Sequence, residues 1–145
     1  MAKQLIGVIV ASVVFIGGDM TWLTLTWTRL YRPGLGPILA DKPDVAAAVA
    51  FYALYLFGML TFAIAPGIAA RSWTRALGSG ALLGLVAYGT YDLTNQATLK
   101  IWSINVTFID MGWGAGITGL ASAIGCAVAL LTTGRQELGA SRRVR

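Results

Sequence analysis

The chain has 145 residues, of which 57% are apolar and 12% are charged, and its mean hydropathy is +0.71. Soluble proteins carry about 25% charged residues, so this composition excludes a soluble domain and predicts one membrane domain over residues 1–145. The net charge of +5 does not indicate nucleic acid binding, since the basic residues flank apolar segments, as topology signals do. Cys126 is the only cysteine and there is no histidine. We therefore predict no disulfide within the chain and no metal site, and the sequence identifies no cofactor.

Four apolar segments are long enough to cross a bilayer, and they lie at about 5–27, 45–66, 75–96 and 108–131. A helix of about 22 residues is roughly 33 Å long, slightly more than the hydrocarbon thickness of a bilayer. Proline and glycine residues predict a loop over 29–44, and a basic tail follows at 134–145. The sequence thus predicts an all-α integral membrane protein, built as a four-transmembrane-helix bundle.

The first two segments carry polar and aromatic side chains near one end. Asp19 lies about 12 Å along the helix from Trp27, and Trp22 shares its face. Tyr52 and Tyr55 lie near the start of the second segment. Tyrosines in this position are typical of an interfacial belt, but their i, i+3 spacing also fits one wall of a site.

The third segment changes from apolar to polar over residues 84–95, which read GLVAYGTYDLTN. Tyr88, Asp92 and Asn95 are spaced i, i+4, i+7 and so share one helical face, and Tyr91 lies beside it. A carboxylate exposed to lipid costs about 2.5–3.5 kcal/mol on an insertion scale. We therefore expect this face to point into the bundle.

The fourth segment carries Asp110 and Trp113 near its start. Small residues in the third and fourth segments permit close helix contact and predict possible homo-oligomer faces. They are Gly80, Gly84, Gly112, Ala115, Gly116, Gly119, Ala123 and Ala127.

The distribution of basic residues predicts the orientation of the chain. With four spans, seven bases lie on the side of the two termini and four on the other side, so both termini are expected in the cytoplasm. Asp19, Asp92 and Asp110 then all fall in the outer half of the membrane. This predicts a polar pocket that opens toward the outer surface or the outer leaflet.

Three carboxylates in one site of low dielectric constant cannot all be ionised, so we expect one or two to hold a proton, or a nearby base to compensate. The bases in question are Arg29, Arg32 and Lys100. The candidate catalytic, proton-handling residues are Asp19, Asp92 and Asp110. The candidate ligand-binding residues are Trp22, Tyr52, Tyr55, Tyr88, Tyr91, Asn95 and Trp113. The alternative is that these polar groups only join helices through interhelical hydrogen bonds.

Four short stretches together resemble a bacterial membrane protein family named domain of unknown function 2177. They are DMTWL at 19–23, FYALY at 51–55, AYGTYDLTN at 87–95 and DMGWG at 110–114. The resemblance implies a multi-pass protein of the bacterial inner membrane with four helices. It carries over no catalytic residue.

Three functions are compatible with this pattern. The first is a pocket that binds or processes a lipid-like or amphipathic small molecule, as an enzyme or as a binding protein. The second is a small proton-coupled transporter, and the third is a structural or assembly subunit of a membrane complex. Membrane lipids are expected partners in all three.

Overall fold

The computed structural model describes the backbone of residues 1–143 and the side chains through residue 132. The described chain is 89% helical and contains no strand. The backbone of the predicted tail at 134–145 continues the last helix as far as Arg143, and the side chains of that tail lie outside the described residues.

The first helical segment is longer than the sequence predicts. Helix α1, Ala2–Thr26, continues through a π-helical turn, Trp27–Tyr31, into α2, Arg32–Leu35, and a 3-10 turn, Gly36–Ile38. The predicted loop at 29–44 is therefore wrong for residues 29–38. Pro33 and Pro37 each fall in the first turn of a short helical piece, where the missing N–H costs no hydrogen bond, and so they do not break the helix.

The second segment consists of α3, Val45–Met59, a π-helical turn, Leu60–Ile64, and α4, Ala65–Ala69. It begins at a side-chain cap, because the Asp44 carboxylate accepts a hydrogen bond from the backbone N–H of Ala47 at 3.1 Å. The cap fixes the start of the helix that carries Tyr52 and Tyr55.

The chain then reverses and forms two long helices. Arg71 has a φ of 51° in the turn after α4, and Ser72 caps α5, Trp73–Thr98, by accepting a hydrogen bond from the N–H of Arg75. Helix α6, Ile104–Arg143, follows after a five-residue connection. The two helices run antiparallel along each other.

Three segments of the described chain are long and apolar enough to cross a membrane: Ala2–Ile38, Val45–Ala69 and Ile104–Thr132. They contain the first, second and fourth predicted spans. The predicted span at 75–96 lies within α5, which is 26 residues long but less apolar, since its final third carries the polar stretch. The chain is thus an all-helical membrane protein with three candidate spans.

Helices α5 and α6 approach each other closely because glycines line their contact. A Cβ atom at Gly84 would lie 2.1 Å from the carbonyl oxygen of Gly114, and one at Gly80 would lie 2.8 Å from that of Thr118. No side chain fits at either position. These small residues therefore serve packing within the chain, whereas Gly112 has no neighbouring atom within 4 Å of its would-be Cβ.

The core joins α1 and α3 to this pair. Phe15 stacks on Tyr55 with ring centroids 4.8 Å apart, and Tyr55 meets the edge of Tyr88 at 6.3 Å. The buried cluster consists of Ala11, Phe15, Tyr55, Met59, Ile64, Ile117 and Ala121.

The outer surface of the bundle is apolar on every long helix. Val13, Leu54, Leu82 and Leu120 are between 51% and 73% exposed. A soluble monomer rarely leaves so much apolar surface in contact with water, so this surface fits contact with lipid tails.

Candidate functional site

The candidate site lies where the C-terminal parts of α1 and α5 meet the N-terminal parts of α3 and α6. Asp19 and Asp110 are both buried there, each only 7% exposed. Hydrogen bonds to these two carboxylates come from four different parts of the chain. The site is therefore a point of contact for the whole bundle.

Asp19 accepts hydrogen bonds from three aromatic side chains on three other helices. The phenol of Tyr52 donates to Oδ2 at 2.6 Å. The phenol of Tyr88 and the indole N–H of Trp113 both donate to Oδ1, each at 3.3 Å. One carboxylate of α1 thus ties α3, α5 and α6 together, and every one of these donors is neutral.

Asp110 also accepts a hydrogen bond from a phenol, and a series of contacting aromatic side chains connects it to Asp19. The phenol of Tyr31 donates a hydrogen bond to Asp110, and the indole N–H of Trp22 donates to the Tyr31 hydroxyl at 3.0 Å. The indole of Trp22 stacks on that of Trp113, with centroids 4.5 Å apart and planes 8° apart. Trp113 is in turn a donor to Asp19, so each carboxylate is held by a set of rings that packs against the other set.

The π-helical turn brings Tyr31 to this site. In a regular α-helix, at about 100° per residue, Tyr31 would point about 120° away from Asp19. The turn at Trp27–Tyr31 accommodates one extra residue, which reduces this angle to about 20°. Helical periodicity assumes an unbroken α-helix, and for this reason it cannot identify Tyr31 as a site residue.

A pocket of about 450 Å³ opens in front of the two carboxylates. Its lining residues are Asp19, Leu23, Tyr31, Phe51, Tyr55, Ala87, Tyr88, Tyr91, Asp110 and Trp113. Phe51 and Tyr91 are its exposed members, at 44% and 61%, and form its rim. The pocket surface is mostly apolar, because the polar groups largely face one another.

The structure brings together most, but not all, of the residues that the sequence singles out. Six of them line the pocket: Asp19, Tyr55, Tyr88, Tyr91, Asp110 and Trp113. Trp22 and Tyr52 do not line the pocket but donate hydrogen bonds to residues that do, Trp22 to Tyr31 and Tyr52 to Asp19. Asn95 is half-buried and does not line the pocket.

Asp92 also lies outside the pocket. Gly84 packs against Gly114, and Gln96 accepts a hydrogen bond from Thr107, so the antiparallel register places Asp92 opposite the 106–111 stretch of α6. Its side chain is completely buried, and neither carboxylate oxygen has a hydrogen-bond partner. The structure therefore separates Asp92 from the two aspartates that face the pocket.

The three bases expected as one way to compensate the carboxylates are not the groups that donate hydrogen bonds to Asp19 and Asp110. Arg29, Arg32 and Lys100 are all exposed, and the donors that Asp19 and Asp110 meet are phenols and indoles. Among the described side chains, no cluster of three or more His, Cys, Asp or Glu residues could hold a metal ion.

Sequence reasoning missed four lining residues. Three of them carry a helical signal: Leu23 follows Asp19 by four residues, Phe51 precedes Tyr55 by four, and Ala87 precedes Tyr91 by four. Tyr31 is the fourth, and its position depends on the π-helical turn.

Comparison with known proteins places the chain by family. No curated protein and no solved structure matches it. The family model described as "Predicted membrane protein (DUF2177)" matches residues 4–127, a range that includes every residue lining the pocket. Because the match covers most of the sequence, the chain belongs to this family of membrane proteins.

Proposed function

We propose that this small polytopic protein of the bacterial inner membrane binds or processes a lipid-like or amphipathic small molecule in the pocket in front of Asp19 and Asp110. The observation that carries the proposal is the pocket itself, with aromatic walls and two buried carboxylates at its polar end. A volume of about 450 Å³ lies within the usual range of small-molecule sites, about 300–1,000 Å³.

The pocket's polarity favours an amphipathic ligand over a fully polar one. Its surface is mostly apolar, and its rim is formed by the exposed rings of Phe51 and Tyr91. An apolar tail would lie against these rings, and a polar head would reach the carboxylates. Aromatic side chains suit this task because they combine a large apolar surface with, in tyrosine and tryptophan, one polar group.

Asp19 and Asp110 are the candidate proton-handling groups of this site. Carboxylates are common general acids and bases, and their use requires a hydrogen-bonded position beside the reacting group. Both lie at the pocket and are oriented by fixed donors. The same arrangement serves ligand binding without chemistry, because oriented acceptors need no further ordering when a ligand arrives.

We further propose that α5 is a fourth span, which places both termini in the cytoplasm and the pocket toward the outer face. Helix α5 packs along α6 from Gly80, beside Ser122, to Gln96, beside Thr107, so the two helices lie side by side over most of the candidate span in α6. Its buried Asp92 avoids lipid. The hydroxyl of its exposed Thr90 donates a hydrogen bond to the backbone carbonyl of Val86 at 2.7 Å, so it needs no water as a partner.

Labelling of single cysteines tests this topology. In a Cys126→Ser background, Thr74→Cys and Lys100→Cys place one exposed thiol in the first turn of α5 and one just after its last residue. A membrane-impermeant maleimide should reach Lys100→Cys only from outside intact spheroplasts, and Thr74→Cys only in inverted vesicles. Labelling of both from the same side would show that α5 does not cross.

Mass spectrometry of molecules that co-purify in mild detergent tests the proposed function. A discrete amphipathic species should accompany the wild type and be depleted in Asp19→Asn. Asp41→Asn is the matched control, because Asp41 is exposed and lies outside the pocket. Bulk membrane lipid alone in all three samples would reject the proposal and favour a structural or assembly role.

The packing at the other end of the bundle favours a pocket open on one side over a transport path. A Cβ at Gly125 of α6 would lie 2.4 Å from the carbonyl oxygen of Gly7 in α1, so the two backbones are in direct contact there. A transporter must open alternately on both sides, and this contact would have to separate.

We also propose a surface for self-association. Gly112 and Gly116 lie on an exposed strip of α6 with open space beside them, and small residues at this spacing let a second helix approach closely in lipid. Gly112→Leu should reduce cross-linking between copies in the membrane, whereas Leu54→Ala, at an exposed apolar position on α3, should not. Equal cross-linking in both would exclude this surface.

A further inference from the structure

We infer that the pocket selects amphipaths whose head group is an organic cation, such as a substituted ammonium. This inference rests on the proposed function and names the class of ligand for the same site. Three features support it. The charged residues of the lining are all acidic, the nearby hydrogen-bond donors are already bound to these carboxylates, and most of the other lining residues are aromatic.

The charge of the lining has one sign. Of the ten residues that line the pocket, Asp19 and Asp110 are the two that carry a formal charge, and no Lys or Arg is among them. Both carboxylates are almost completely buried. A cation in the pocket would lie beside these carboxylates and away from bulk water, where the attraction between opposite charges is much stronger than in solution.

The nearby donors are already used, which disfavours an anionic head group. The phenols of Tyr31, Tyr52 and Tyr88 and the indole of Trp113 all donate to the two carboxylates. A phosphate or carboxylate head beside the two carboxylates would therefore face acceptors, and these four donors would not be free to bind it. An anion would also meet two negative groups, and like charges placed together cost several kcal/mol, by order of magnitude.

The rest of the lining is mostly aromatic. Six of the ten lining residues are aromatic: Tyr31, Phe51, Tyr55, Tyr88, Tyr91 and Trp113. The face of an aromatic ring carries negative charge density and attracts ammonium groups within about 6 Å of its centroid. Rings beside buried carboxylates form a site that recognises a cation by both means at once.

Isothermal titration calorimetry on the full chain in zwitterionic lipid nanodiscs tests the inference. The probes are decyltrimethylammonium, decyldimethylamine N-oxide and decyl sulfate, which share one tail but are cationic, net-neutral and anionic. Heats measured with empty nanodiscs are subtracted to remove partition into lipid. We expect the cation to bind at least about tenfold more tightly than the neutral probe, and the anion not to bind.

Variants assign any such preference to the pocket. Asp19→Asn and Asp110→Asn should each weaken cation binding by about tenfold while leaving the neutral probe almost unchanged, and Asp41→Asn should change neither. Phe51→Leu removes a rim ring but keeps an apolar side chain against Tyr52 and Tyr55, so it should reduce cation affinity severalfold while both carboxylates remain. It keeps the test informative if an Asn variant fails to fold, which melting curves would reveal.

The outcomes separate this inference from the proposed function. Equal binding of the cationic and neutral probes, both abolished when the pocket is filled by Ala87→Phe, would retain an amphipath site and overturn cation selection. Saturable binding of the anion would also overturn it. If no probe binds and no species co-purifies with the protein, the proposed function fails together with the inference.

Discussion

Tyr31 and Asp110 are separated by 79 positions in the sequence, yet the phenol of Tyr31 donates a hydrogen bond to the Asp110 carboxylate. The contact joins the extension of α1 to the start of α6. It exists because a π-helical turn rotates Tyr31 toward the face of Asp19. The geometry of one backbone turn thus completes the wall of the pocket.

Tyr31→Phe should destabilise the protein and weaken ligand binding. The substitution keeps the ring but leaves a buried carboxylate with one donor fewer, a change that typically costs about 1–3 kcal/mol. The measurement is thermal unfolding in detergent. Tyr91→Phe is the matched control, because the Tyr91 side chain is largely exposed, and its melting temperature should not change. Equal effects of both substitutions would contradict a special role for the Tyr31 hydroxyl.

The π-helical turn leads to an unusual prediction about chain length. Deletion of the exposed Thr28 should convert the turn to a regular α-helix and leave Tyr31 within about 20° of the face of Asp19. Insertion of one alanine after Thr28 should instead rotate Tyr31 by about 100° and disconnect it from Asp110. The deletion variant should keep nearly the wild-type melting temperature, and the insertion variant should resemble Tyr31→Phe or be less stable. Similar losses in both variants would show that the rotation argument is wrong.

The sequence predicts those parts of the site that follow a regular helical repeat. The composition indicates a membrane protein, and the spacing of Tyr88 and Asp92 predicts a polar helical face directed into the bundle. Whether a residue on that face opens into the pocket or packs against a neighbouring helix depends on rotations of a few tens of degrees. Such rotations are set by close contacts, such as that of Gly84 with Gly114, which periodicity alone does not contain.

Gly84→Ala should separate α5 from α6 and disturb the site as a consequence. The added methyl group would lie 2.1 Å from a backbone oxygen, and a backbone cannot move aside as a flexible side chain can. Overpacking of this kind costs about 1–3 kcal/mol or more. Gly78→Ala is the control on the same helix, since its Cβ would have no neighbour within 4 Å. Thermal melting of the two variants side by side measures the difference, and equal stability would count against direct backbone contact.

Arg71→Gly should stabilise the turn between α4 and α5. Arg71 adopts a left-handed backbone conformation, which costs a residue with a side chain about 1–2 kcal/mol and glycine almost nothing. The N–H of Ser72 donates to the carbonyl of Gly67 at 2.9 Å, as in a Schellman motif. We expect the melting temperature to rise for Arg71→Gly. Arg71→Ala also removes the charge but retains the strain, and it should give no increase. A loss of stability in Arg71→Gly would mean that the arginine side chain itself stabilises the turn.

Asp92 is expected to reduce stability where it stands. Its carboxylate is completely buried between α5 and α6, and neither oxygen has a hydrogen-bond partner. Burial of a polar group without a partner costs about 1–3 kcal/mol in proteins, so Asp92→Leu, which keeps the number and branching of the side-chain heavy atoms, should raise the melting temperature. The lining carboxylates provide the contrast, since Asp19→Leu removes the acceptor of three hydrogen bonds and should lower it. If Asp92→Leu is less stable than the wild type, the Asp92 carboxyl group has a stabilising partner in the folded protein. If it is more stable but loses the co-purifying ligand, Asp92 contributes to function at the expense of stability, although it lies outside the pocket.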